Sequence, residues 1–322
     1  MIKNKNIKLF LKATIGISLF LWMSYSLYNQ IKHQRNLQNT IHDLFVEWNS
    51  SKILFLSLVF ILMILNWTIE AQKWRLLLVG TEKFSLWKSF QSVLTGVAIS
   101  VITPNRIGEY MGRILYLRNV HKIQGITVTI IGSFAQLIVT GFLGLVGLLY
   151  YIMNIQQSAW LTILLVSSIL LCIVLTYIYF HLHKLLDWTK GITFLRKIRI
   201  YLEIVKRFNQ PQLIKILLIS TARYLVYTIQ FILLLKLFLV EINFITLLFT
   251  IWLIFWAMAI LPTIAIAEIG IRGETALFFL APLSTNHLGI VSSTLMLWLI
   301  NLIIPSLLGC LFVYKMKLYE DE

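Results

Sequence analysis

Six apolar stretches, at about 7–28, 53–70, 124–152, 159–181, 213–237 and 288–314, dominate the chain. A helix needs roughly 20 apolar residues to cross the hydrocarbon core of a bilayer. Backbone in lipid must satisfy its own hydrogen bonds, so continuous apolar runs of this length read as spanning helices. Of the 322 residues 59% are apolar and 13% charged, with a mean hydropathy of +0.83. Soluble domains carry about 25% charged residues. The balance excludes a water-soluble enzyme, a nucleic-acid-binding module and a disordered chain. The sequence reads as an all-α polytopic membrane protein, with residues 1–322 forming one integral-membrane domain.

Charge then sets topology. There are 28 Lys+Arg against 13 Asp+Glu, but aliphatic runs separate the basic residues. In a membrane protein such residues mark cytoplasmic loops and contact with anionic headgroups. Lys3, Lys5, Lys8 and Lys12 before the first apolar stretch imitate a secretory signal. No A-x-A cleavage site follows, and an uncleaved first helix is expected. Cys172 and Cys310 both fall inside apolar runs and define neither a disulfide framework nor a metal pair.

Two further apolar segments, 86–103 and 244–261, end at Pro104 and Pro262. If both crossed fully, the basic stretch at about 182–212 would lie outside, against the positive-inside rule. Treated as re-entrant hairpins, about 86–118 and 244–281, they leave both termini cytoplasmic. Of the 28 Lys+Arg, 22 then lie on that side. The first hairpin inserts from the cytoplasm and the second from outside. The basic loop is expected to lie along the inner leaflet.

The hairpins share a pattern. The first reads TPNRIGEYMGR and the second LPTIAIAEIGIRGE. In each, Pro precedes Glu by five or six residues, and Arg follows that Glu by four: Glu109 and Arg113, Glu268 and Arg272. On a helix this spacing sets carboxylate beside guanidinium. Opposed insertion with a shared pattern points to an inverted repeat, as in many transporters.

Charged groups in a bilayer cost about 2.5–3.5 kcal/mol each on insertion scales, so they line cavities or pair. Arg106, Glu109, Arg113, Glu268, Arg272 and Glu274 are the hairpin candidates. They either neutralise one another and lock the hairpins, or build a polar pocket for a headgroup where the tips meet. Arginine suits the second role because its planar fork grips phosphate. Polar stripes recur on the spans: Thr129, Ser133, Gln136 and Thr140; Arg223, Tyr227 and Gln230; Asn66, Glu70 and Lys73. Such stripes commonly join helices to one another. Arg223 differs, because a lone cation deep in a span needs a hairpin carboxylate or a substrate phosphate. Gly141, Gly144 and Gly147 fit close helix packing, and His181 with His183 lacks a third metal ligand nearby.

No GxxxxGK[ST], GxSxG, HExxH or DxD motif is present. The longest loop is about 30 residues, too short for a folded catalytic domain. No cofactor or metal is expected, and the expected activity is not enzymatic.

The two hairpin motifs, with NWTIEAQKWRLLL at the end of the second apolar stretch, resemble the signature regions of the lysylphosphatidylglycerol synthase transmembrane, or flippase-like, family. The resemblance runs over essentially the whole chain. In the large fused members this domain is described as moving an aminoacylated phospholipid between leaflets, while a separate cytoplasmic domain makes the lipid. The sequence runs to Glu322, just after its last apolar stretch, and translocation without synthesis is the activity the resemblance leads one to expect. The substrate does not carry over from the family; an anionic or zwitterionic phospholipid or a polyprenyl-phosphate-linked glycolipid, in a bacterial cytoplasmic membrane, is the expectation. Arg106, Arg113, Arg223 and Arg272 are expected to hold the phosphate. Glu109, Glu268 and Glu274 would position those arginines or bind a cationic headgroup. An intramembrane transferase with a lipid-linked donor, and a non-catalytic subunit of a lipid or glycan assembly complex, stay open. A second copy of the chain or a lipid-synthesis enzyme are the candidate protein partners.

Overall fold

The structure is a computed structural model that describes residues 25–32, 38, 50–79, 82–101, 103, 107–118, 122–182, 184, 203–261 and 268–320. All regular structure among them is helical. In chain order the α-helices are α1 (Ser50–Leu77), α2 (Leu86–Val101), α3 (Gly108–Ile114), α4 (Lys122–Asn154), α5 (Ala159–Phe180), α6 (Gln210–Leu237), α7 (Phe244–Ile260), α8 (Glu268–Leu280), α9 (His287–Trp298) and α10 (Ile304–Glu320). Helices α1, α4, α5, α6 and the continuous α9–α10 unit are long and apolar enough to span a membrane. They coincide with five of the six expected spans. Residues 25–32 are helical and overlap the end of the expected first span, the rest of which lies outside the described residues, as does most of the basic loop.

The proline-ended segments form hairpins. Helix α3 rises about 10 Å and α8 about 20 Å at 1.5 Å per residue, both short of a core about 30 Å thick. Each packs on the helix before it, α3 on α2 and α8 on α7. The first hairpin closes backbone against backbone: a Cβ at Gly112 would stand 2.5 Å from the Gly96 Cα, and one at Gly108 2.3 Å from the Ile99 carbonyl oxygen. Within lipid there is no hydrophobic gain from joining two apolar helices, so close packing of small residues supplies the attraction.

Helix order repeats. Among the described residues α1, the α2–α3 hairpin and α4 make one half; α6, the α7–α8 hairpin and α9–α10 make the other, with α5 between them. The packing follows the same symmetry. Helix α1 lies on its counterpart α6, α7 packs on α4, and α2 packs on α10. Thus the first arm of each hairpin rests on the last span of the opposite half. Glycines make both contacts: a Cβ at Gly144 would strike Trp256 at 2.1 Å, one at Gly147 the Phe249 carbonyl at 2.4 Å, and one at Gly309 the Leu94 carbonyl at 2.0 Å. Gly141 instead faces Cys172 at an ordinary 3.7 Å. Helix α5 stays peripheral, and Ile163, Leu170 and Ile173 are exposed on its outer surface.

Local chemistry sets the helix ends. Asn209 and Gln212 exchange side-chain and backbone hydrogen bonds of 3.0 and 3.2 Å at the start of α6, with Pro211 in its first turn. Asn286 accepts from the Gly289 N–H at 2.8 Å to begin α9. Between α9 and α10, Leu299–Ile303 form one π turn, in which the Ile304 N–H reaches the Leu299 carbonyl. Pro305 lies just beyond and has no N–H to give to the carbonyl four residues earlier, so the ladder widens at Asn301.

Candidate functional site

Near the end of α1, Asn66, Glu70 and Lys73 share one face, and α6, α2 and α3 close over it. Glu70, 3% exposed, is the hub. Its Oε2 receives Lys73 Nζ at 2.7 Å and Arg223 Nη1 at 2.9 Å, and its Oε1 receives Arg113 Nη2 at 2.8 Å. Arg113 also donates to Glu109 one turn earlier on α3. Arg223 Nε donates to Asn66 Oδ1 at 3.1 Å, Asn66 Nδ2 to Asn301 Oδ1 at 3.1 Å, and Asn301 Nδ2 to the Leu297 carbonyl at 3.2 Å. The guanidinium carbons of Arg223 and Arg113 lie 5.3 and 5.7 Å from the rings of Trp67 and Trp74. One carboxylate therefore ties the first hairpin to a span from each half, and the chain of hydrogen bonds continues into the π turn.

On the far side of Arg223 lies a cavity of about 300 Å³ between α1, α4, α6, α7, α8 and the α9–α10 unit. Its polar lining comprises Asn66, Gln136, Thr140, Arg223, Tyr227, Arg272 and Asn301, and Trp67, Phe255 and Trp298 add aromatic walls. Arg223 stands near the middle of α6, 13 residues from its first residue. Its Nε and Nη1 are engaged, and its Nη2 has no hydrogen-bond partner among the described residues. Arg272 donates from Nε and Nη2 to Glu268 Oε1 at 3.1 and 2.7 Å, and its Nη1 lies 3.9 Å from the Met258 sulfur. The Tyr227 hydroxyl lies beside the same guanidinium. Two guanidinium groups, one from a span and one from a hairpin, thus border a single membrane-embedded space.

The other expected site residues distribute as follows. Both i,i+4 pairs form, Glu109–Arg113 and Glu268–Arg272. Arg113 is buried against Glu70 and does not border the cavity; Glu109 is half-buried beside it. Glu274 turns to the N-terminal helix, where its Oε2 accepts from Gln30 Nε2 at 3.1 Å. Arg106 and both hairpin tips lie outside the described residues. The carboxylate expected to reach Arg223 from a hairpin comes instead from Glu70 on α1. From the α4 stripe Gln136 and Thr140 border the cavity, while Thr129 bonds the Gly125 carbonyl of its own helix and Ser133 faces outward. Gln230 turns to the Val59 carbonyl of α1. His181 stacks on Tyr177, and His183 lies outside the described residues.

Glu70, Asn66 and Lys73 carry more of the site than their sequence pattern suggests. A signal exists even so, since a carboxylate seven residues from the end of a 28-residue spanning helix needs a cation as surely as Arg223 needs an anion.

No curated protein matches the chain. The family model for the lysylphosphatidylglycerol synthase TM region matches residues 10–309, which include both hairpins, the Glu70 cluster and the cavity. A match over that length makes the chain a member of the lysylphosphatidylglycerol synthase transmembrane family, and hence a lipid-related, multi-pass membrane protein.

Proposed function

We propose that the protein is a lipid translocase, a flippase or scramblase that carries a phosphate-bearing headgroup through the cavity while the tails stay in the bilayer. The substrate is a phospholipid or a polyprenyl-phosphate-linked glycolipid, and the protein acts without chemical change to it. The seat is the bacterial cytoplasmic membrane with both termini inside, an orientation supported by the distribution of Lys and Arg.

The observation that carries this reading is the charge of the connected groups. Among the described residues the Glu70 cluster joins three cations, Lys73, Arg113 and Arg223, to two acids, Glu70 and Glu109, while Arg272 is matched separately by Glu268. A surplus cation inside a bilayer is costly, and Arg223 of that cluster borders one open space together with Arg272. A phosphate there gains bidentate, charge-assisted hydrogen bonds. A cavity of about 300 Å³ is at the small end of ligand sites, the scale of a headgroup rather than a whole lipid. Packing of each hairpin on the opposite half supports an exchange of access between two related arrangements.

The test is leaflet exchange of tail-labelled lipids in proteoliposomes, read by chemical quenching of the outer leaflet. Wild type is expected to exchange lipid, and Arg272→Ala to lose exchange while it still inserts and stays monodisperse. Exchange by Arg272→Ala at the wild-type rate would show that the cavity is not the path.

A further inference from the structure

Among the described residues, the cavity lining contains cations and neutral groups and no carboxylate. Glu70 and Glu268, the nearest acids, are 3% and 8% exposed and already hold Arg113, Lys73, Arg223 and Arg272. The hairpin-tip sequences, Pro104-Asn105-Arg106 and residues 262–267 (PTIAIA), contain no acid either. Glu274 is turned away toward Gln30.

Arg223, which borders the cavity, has an Nη2 with no hydrogen-bond partner among the described residues, a donor that an occupant can reach. A phosphate oxygen would pair it through a charge-assisted hydrogen bond. The indole N–H groups of Trp67 and Trp298 and the Oε1 of Gln136 also lack partners among the described residues, but they are closed off from the open space.

We propose that this site selects a net-anionic headgroup, rich in acceptor oxygens, and rejects headgroups that carry an ammonium. The inference rests on the translocase reading and deepens it by assigning the substrate's charge class. An aminoacyl headgroup would place its ammonium beside Arg223 or Arg272, whose carboxylate partners Glu70 and Glu268 are already engaged and do not line the cavity, and like-charge contact of this kind suppresses binding. A phosphodiester or phosphomonoester, by contrast, meets two guanidinium edges, that of Arg223 with an unpaired Nη2. Gln136 is the residue best placed to change the choice, since Gln136→Glu would put a carboxylate into the lining at nearly constant volume.

Binding separates this inference from transport. Purified protein in detergent is titrated with dihexanoylphosphatidylglycerol, with its lysyl ester and with inorganic phosphate, each followed by tryptophan fluorescence and thermal shift. The anionic lipid is expected to bind at least about tenfold more tightly than the lysyl ester, and Gln136→Glu to erase or reverse that ratio. A wild-type protein that binds the lysyl ester as tightly as the anionic lipid, or neither lipid, overturns the proposal. Inorganic phosphate binding as tightly as the lipid overturns it too, since the site would then be one for free anions. Selective lipid binding without leaflet exchange would leave the charge selection standing and remove the translocase reading.

Discussion

Replacement of Glu70 by Gln is the sharpest perturbation available. The amide keeps the shape of the carboxylate and removes its charge, so packing with Trp67 and Trp74 is undisturbed. Three cations lose their common partner at once: Lys73 at 2.7 Å, Arg113 at 2.8 Å and Arg223 at 2.9 Å. Arg113 retains Glu109, while Lys73, 1% exposed, retains no acid among the described residues. Breaking one partner of a buried pair costs about 3–5 kcal/mol, because the remaining charge stays buried without compensation. Lys73 is such a charge, while Arg223 keeps access to the cavity and adds less, which puts Glu70→Gln within that range. Thermal unfolding in detergent, followed by tryptophan fluorescence, is expected to show a loss of several degrees or a failure to recover folded protein. Glu70→Gln combined with Lys73→Met removes one of the stranded cations and is expected to regain part of the loss. Glu203→Gln serves as the control, for its pair with Lys206 is 3.5 Å long and about half-exposed, and exposed pairs contribute about 0.2–1 kcal/mol. Equal melting temperatures for Glu70→Gln and Glu203→Gln would refute the hub.

Arg223→Lys keeps the charge but loses the fork that spans Asn66 and Glu70, and leaflet exchange is expected to fall about tenfold or more without loss of folded protein. Gly112→Ala sets a methyl 2.5 Å from the Gly96 Cα, where only backbone could yield; overpacking of this kind costs about 1–3 kcal/mol, visible as a lower melting temperature. Gly141→Ala meets only Cys172 at 3.7 Å and should match or exceed wild-type stability by about 0.5–1 kcal/mol from helix propensity, so a clear loss there would contradict the packing described. Pro305→Ala restores the missing N–H and is expected to raise stability while it slows exchange, because closing the π turn rotates Asn301 and Trp298 relative to the cavity.

Much of the architecture is legible in the sequence because membranes impose a length rule. The five described spans follow from where apolar runs reach bilayer thickness, and the ends of α2 and α7 fall just before the prolines that close their apolar runs. The Glu109–Arg113 and Glu268–Arg272 pairs are legible for a similar reason, since i,i+4 geometry is local. Long-range pairing is not. Glu70 meets Arg113 43 residues away and Arg223 153 residues away, and a stripe of Asn66, Glu70 and Lys73 looks the same whether it joins helices or anchors a site. The same limit applies to Glu274, which resembles a hairpin site residue in sequence yet faces Gln30.

Helix length, breaks, local charge pairs and membrane residence are thus properties of the chain by itself, because each depends on neighbours within about one turn or on total apolar length. Which charges meet, which guanidinium groups border the cavity and which acids are withheld from it depend on how the two halves interlock. Lipid offers no hydrophobic drive to rank the alternatives, so that choice falls to close contacts such as Gly144 on Trp256 and Gly309 on Leu94, which exist only once the bundle is assembled.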